Sequence, residues 1–190
     1  MEAATAEFMD HGFRGASLRK IANRAVITTG ALYTRYENND VLFTSLVESA
    51  LREIGGEFEP MRQTYLDARD NPSPEKILEA IRQEEEIYLR LLFKYYDQCI
   101  LFFCRSDGSS VEKQLSALME EKARQTVEFF RTIARREVDF DGVEFILSEQ
   151  FHYYRRILQR GYTREKAISC MKTVEAFMEA GWKALFQKIL

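Results

Sequence analysis

Proline is scarce in this chain and confined to one stretch. Its 190 residues hold three prolines, Pro60, Pro72 and Pro74, all between residues 60 and 74. The 116 residues from Glu75 to the end have none, and only four glycines. Proline and glycine are the residues that interrupt helices, so this composition predicts helices over more than half the chain. No alternation of apolar and polar residues is sustained, which argues against strands, and no internal repeat is visible. Histidine is rarer still: His11 and His152 only. A di-metal site in a helical bundle needs paired Glu-x-x-His motifs, and Glu149-Gln150-Phe151-His152 supplies one. The run Glu84-Glu85-Glu86 reads as a solvated face. Enzymatic chemistry is therefore not expected, nor a metal or other cofactor. The three cysteines, Cys99, Cys104 and Cys170, match neither metal-ligand spacing nor an even disulfide set. Cys99 and Cys104 sit in apolar sequence and read as small buried hydrophobes; a redox-sensing pair is the sharper alternative. No apolar run approaches the ~20 residues that span a bilayer, and the start does not read as a secretory leader. A soluble, cytoplasmic protein is expected.

Acidic residues are also missing from one place. From His11 to Tyr36 there are five basic residues (Arg14, Arg19, Lys20, Arg24, Arg35) and no acidic ones, whereas the rest holds 22 basic against 30 acidic. A local positive patch on an acidic body suits contact with nucleic acid, because phosphate attraction is short-ranged at physiological salt. Within that patch, Ser17–Arg24 reads as a helix capped by Ser17, with Leu18, Ile21, Ala22 and Ala25 facing inward. Ala25-Val26-Ile27 makes a turn. Thr28 caps a second short helix, Thr29 to about Arg35, with Leu32 inward. Its outward residues, Thr29, Ala31, Tyr33, Thr34 and Arg35, are small, hydroxylated or basic, and can approach a phosphate chain closely.

These residues resemble the DNA-binding segment of the tetracycline-repressor (TetR) family of transcriptional regulators. That pattern is a helix T-x-x-x-I-A-x-x-A, then G-V-S, then x-G-x-L-Y-x-x-F, then a K-E-x-L-like helix start. This chain offers Ser17, Ile21, Ala22 and Ala25, then Val26-Ile27-Thr28, then Gly30, Leu32, Tyr33 and Tyr36, then Asp40 and Leu42. It departs at Val26, where glycine is usual, and at Asn39, where a phosphate-contacting lysine is common. The first helix is shorter than the family's: either it is short here or the chain begins upstream. The resemblance implies double-stranded operator DNA as partner. Arg19, Tyr33 and Arg35 would hold phosphates with Ser17 and Thr28 at the helix starts, Thr29, Gly30, Ala31 and Thr34 would face the major groove, and Asn39 would contact the backbone weakly.

Along the chain, Ala3–His11 reads as a first helix stopped by Gly12, with Phe13 plugging a three-helix core. Asn38 caps a helix running to about Ile54, which Gly55-Gly56 ends. Ser73 caps a helix over Pro74–Arg90, and Leu91–Cys104 continues it with a bend. Ser106–Ser110 is a loop. Helices follow at Val111–Arg136, Gly142–Arg160 and Arg164–Ile189, with Gly161 and Thr163 between the last two. The fold class expected is all-α: a helix-turn-helix domain over residues 1–45 and a helical bundle over 46–190 for effector binding and dimerisation. The last two helices carry more apolar surface than one stripe, and by the resemblance they pair with a second subunit through Phe151, Tyr154, Met171, Val174, Met178 and Trp182. An aromatic segment from Tyr88 to Phe103 suggests a small-molecule site, foremost at Tyr95, Tyr96, Cys99 and Phe103, with Phe129, Phe130, His152 and Tyr153 as candidates to face it. The function implied is a ligand-responsive repressor, a homodimer on a palindromic operator. The alternative is a helical ligand-binding protein of the same fold that has lost DNA binding.

Overall fold

The computed structural model describes residues 1–136 and 138–190. Ten helices and no strands occur among the described residues. They are α1 (Glu2–Gly15), α2 (Leu18–Arg24), α3 (Thr29–Arg35), α4 (Asn39–Glu57), α5 (Glu59–Asp70), α6 (Pro74–Lys94), α7 (Tyr96–Cys104), α8 (Ser110–Ile133), α9 (Asp141–Gln159) and α10 (Arg164–Ile189). The chain divides into two compact units, Met1–Glu53 with Tyr95–Leu118, and Ile54–Lys94 with Met119–Leu190.

The capping residues read from the sequence start their helices as expected. Thr28 Oγ1 accepts from Ala31 N at 3.1 Å, Asn38 Oδ1 from Val41 N at 2.9 Å, and Ser73 Oγ from Lys76 N at 3.3 Å. Each satisfies an amide that the helix itself leaves unpaired. The bend expected within Leu91–Cys104 falls at Tyr95, whose φ of −115° and ψ of 44° separate α6 from α7.

Two expectations need correction. The helix from Asn38 does not stop at Gly55-Gly56 but continues to Glu57, and a separate helix, α5, follows at once. Glycine lowers helix stability by about 1 kcal/mol each without forbidding the conformation. Pro60 falls in the first turn of α5, where its missing N–H costs nothing. Likewise α8 ends at Ile133, short of Arg136.

The first unit is built around Phe43, which is fully buried. Its ring meets Phe8 at 4.9 Å and Phe13 at 5.4 Å between centroids, both edge to face. Leu18, Ile21, Ala22 and Leu32 complete the core from α2 and α3, and Leu101, Phe102 and Val111 close it from α7 and α8. Gly12 does not end α1 as a simple stop: at φ 67° and ψ 175° it kinks the helix, so that Phe13 N donates to Arg105 O at 2.8 Å. Only glycine enters that region readily. The second unit has its own core, in which Phe130 contacts Trp182 and Phe186 with centroids 5.7 and 5.3 Å apart.

Candidate nucleic-acid interface and ligand cavity

Helices α2 and α3 bury one face each and leave the other to solvent. Leu18, Ile21, Ala22 and Leu32 are buried, and Arg19, Lys20, Arg24, Gly30, Ala31, Tyr33, Thr34 and Arg35 are exposed. Thr28 is also exposed; Ser17, Thr29 and Asn39 are half-buried. Arg14 is held by Asp107 at 3.2 Å, which removes it from the free positive charge. Among the described residues, Arg19, Lys20, Arg24 and Arg35 make no ion pair, and Arg35 lies over the Tyr36 ring at 5.7 Å. Four cations are thus available on a face without acids, the electrostatic requirement for holding phosphates.

Two details refine what this face can read. Thr34 Oγ1 donates to Gly30 O at 2.9 Å, so its hydroxyl hydrogen is spent and it presents a methyl and acceptor lone pairs. A Cβ on Gly30 would meet nothing closer than Thr28 Oγ1 at 3.9 Å. Packing within the chain therefore does not demand a glycine there, and its absence of side chain leaves room for an external backbone. The Oδ1 of Asn39 is buried without a hydrogen-bond partner, so this oxygen is turned away from any ligand on the surface.

One supporting residue escaped the sequence reading. Glu7 is 5% exposed, and its Oε1 accepts from Ser17 N at 3.2 Å, fixing the entry to α2. The available signal was an acid between Ala4 and Phe8 on the apolar side of α1.

The turn between α2 and α3 closes with Ile27 N donating to Ala22 O at 3.0 Å and Val26 N to Asn23 O at 3.2 Å. This paired closure places Val26 at φ 56°, a left-handed value that a β-branched residue rarely adopts. The same closure recurs after α9, where Gly161 takes it at φ 57°. Val26, standing where the resembled family has glycine, therefore sits in a strained backbone conformation. Left-handed backbone costs about 1–2 kcal/mol, partly offset on replacement by the greater chain entropy of glycine. Val26→Gly is expected to stabilise the first unit by about 1 kcal/mol, a rise of ~4–8 °C in its melting temperature. Thermal denaturation followed by circular dichroism checks this; an unchanged or lower midpoint would show Val26 unstrained.

The second unit contains a partly open cavity of about 60 Å³ lined from α5, α6, α8, α9 and α10. Glu84 and Glu85 line it, which corrects the reading of Glu84-Glu85-Glu86 as a solvated run: α6 turns that side inward. Glu84 accepts from Lys122 Nζ at 2.9 Å and from the Tyr65 hydroxyl. Burial, reinforced by Glu84, pushes the Tyr65 and Tyr88 hydroxyls well above the usual tyrosine range. Burial, with Glu175 and Glu84 beside it, pushes Glu85 up to about 7.

None of the six residues expected at a ligand site lines this cavity. Tyr95, Tyr96, Cys99 and Phe103 belong to the first unit, where Cys99 is buried and its thiol pushed up to about 12, mainly by burial. Phe129 packs against Tyr65 at 5.5 Å between centroids. His152 is exposed on α9, with Nδ1 3.1 Å from Glu149 Oε2. Of the other aromatics considered, Tyr88, Phe130 and Tyr153 do line the cavity, together with Phe151; one residue along a helix turns the side chain by about 100°, which separates Phe130 from Phe129 and Tyr153 from His152. The six residues expected at the dimer face, Phe151, Tyr154, Met171, Val174, Met178 and Trp182, all line the cavity. They therefore do not form a free outer face. The large apolar residues that α9 and α10 leave exposed are Phe145, Ile146 and Phe177.

A capped two-helix turn on a small aromatic core, carrying a cationic face, defines a helix-turn-helix head. Residues 1–46, about a quarter of the chain, match the family model for bacterial regulatory proteins of the tetR family. No curated protein matches the chain. Among solved structures, a proposed transcriptional regulator from Pseudomonas aeruginosa PAO1 is similar, with 22% identity and a TM-score of 0.49 over 97% of this chain and 90% of that one. A likeness at that level says nothing about function. Among the described residues, no helix is long and apolar enough to cross a membrane.

Proposed function

We propose that this chain is a ligand-responsive transcriptional repressor, a homodimer that binds a palindromic operator and is released by a small molecule. The observation that carries the reading is the exposed face of α2 and α3, with Arg19, Lys20, Arg24 and Arg35 unpaired and no acid among them. Arg19, Tyr33 and Arg35 hold phosphates. Thr29, Ala31 and Thr34 meet base edges in the major groove, where methyl groups of alanine and threonine suit thymine. A two-fold axis repeats this head at two half-sites. The second copy packs on the outer faces of α9 and α10, around Phe145, Ile146 and Phe177, because an exposed apolar cluster of this kind marks an association surface. The effector occupies the cavity of the second unit. Helices α4 and α8 each contribute residues to both units, which gives a covalent route from cavity to head. Release follows only if the effector binds the DNA-free arrangement more tightly. Such a regulator works in the cytoplasm, where the DNA is, and catalyses nothing.

The test is a mobility shift with fragments of the source genome across a salt series. Arg35→Ala is expected to weaken binding to all sequences alike and reduce the salt slope by about one. Arg131→Ala, an exposed arginine of α8 paired with Glu128, is expected to leave both unchanged. Binding indifferent to salt would rule out phosphate-led contact. The strain at Val26 and the buried Oδ1 of Asn39 favour the second reading, a TetR-like ligand-binding protein without DNA affinity. Tight ligand binding with no shifted fragment would select it.

A further inference from the structure

We propose that the cavity of the second unit takes an organic cation: an ammonium group seated at Glu85, joined to an apolar or aromatic body that offers a hydrogen-bond acceptor to Trp182. This rests on reading the cavity as the effector site and names the chemical class of the effector.

The charges of the cavity are unequal. Lys122, at 2.9 Å, answers Glu84, which also takes the Tyr65 hydroxyl. No cation answers Glu85 among the described residues, although it lines the same cavity. The groups facing it deepen its isolation: Glu84 from its own helix and Glu175 from α10. Glu175 itself feels Glu86 and, opposing it, Lys172. With Glu85 ionised, as it is above about pH 7, the lining carries one negative charge more than it neutralises, in partly desolvated surroundings where an incoming cation gains most.

Two further features point to a ligand. Trp182 is 3% exposed and lines the cavity, yet its Nε1 has no hydrogen-bond partner. A buried donor left unpaired is costly, and a ligand acceptor would satisfy it. Around Glu85 the walls are aromatic: the Tyr88 ring lies 5.7 Å from Phe151 and 5.4 Å from Tyr154 between centroids. A cation seated within about 6 Å of a ring face bordering the cavity is attracted to it, and the rings complement its apolar body. An anion would confront both carboxylates, and a neutral ligand would leave Glu85 desolvated and unpaired.

Trp182 is the only tryptophan of the chain, so intrinsic fluorescence reads this cavity directly. The probes are phenyltrimethylammonium, its neutral isostere tert-butylbenzene, and benzoate. The quaternary cation is expected to shift Trp182 emission and to bind at least tenfold more tightly than the isostere, with benzoate weakest. Its charge does not titrate, whereas Glu85 takes a proton at about 7. Its affinity should therefore fall roughly tenfold from pH 8 to pH 6.

Glu85→Gln should abolish both the preference for charge and the pH dependence. It should also melt no lower than the parent at pH 8. A carboxyl raised in the folded state destabilises the fold progressively as pH rises from its unfolded value to about 7, and fully above that. Equal affinity for the isostere, preference for benzoate, a flat pH profile, or no response to any probe would each overturn the proposal. The mobility shift, run in parallel, separates the two ideas. DNA binding without probe binding sinks the cation site alone, and probe binding without DNA binding sinks the regulator alone.

Discussion

Phe177→Asp is expected to turn a dimer into a monomer and to abolish operator binding at concentrations where the parent saturates it. Phe177 on α10 is 79% exposed and Phe145 on α9 is 73% exposed. Neither belongs to the buried core of the second unit. Around Phe177, α10 exposes Cys170, Thr173, Ala176, Ala180, Gly181 and Ala184, small residues at three- and four-residue spacing that let another helix approach closely. A buried aromatic anchor at an interface is worth about 2 kcal/mol or more on truncation. In a two-fold interface the substitution counts twice, so the dissociation constant should rise about a thousandfold. Sedimentation velocity on parent and variant measures this. A monomeric parent, or a variant that still dimerises, would remove α9 and α10 as the association surface.

Phe43→Ala should unfold the first unit without melting the second. Phe43 has no exposed surface and is gripped by Phe8 and Phe13. Emptying such a site costs about 3–5 kcal/mol, a large fraction of the 5–15 kcal/mol that holds a typical domain together. The expected signature is partial loss of helical dichroism at 25 °C with Trp182 emission unaltered, because Trp182 belongs to the other core. Simultaneous loss of both signals would mean the two units melt as one.

The local grammar of the chain was legible. Thr28, Asn38 and Ser73 announced helix starts through side-chain oxygens. Most of the helix-turn-helix was legible because its inward positions are few and fixed by spacing; Ala25, expected inward, is exposed where α2 ends. Helix α5 was not, because Gly55-Gly56 and Pro60 are breakers in general yet tolerable at a helix end and in a first turn. The cavity was missed for a different reason. On helices apolar over a wide arc, composition does not fix the rotational phase. Aromatic residues at 129 and 152 and those at 130, 151 and 153 are equally good candidates until the neighbouring helices are placed. Glu85 was missed because three consecutive acids look alike in sequence; only the packing of α6 turns Glu84 and Glu85 inward and leaves Glu86 exposed.

The stitching of the N-terminal unit has a practical consequence. Leu101, Phe102 and Val111 are buried against α1 to α4, and the backbone of Arg105 secures the kink at Gly12. A gene fragment ending after α4 would leave those apolar positions open to water and lose the brace at Phe13. Anyone grafting this reading head onto another sensor body must therefore transplant two pieces, residues 1–53 and 95–118, since the first alone lacks its own floor.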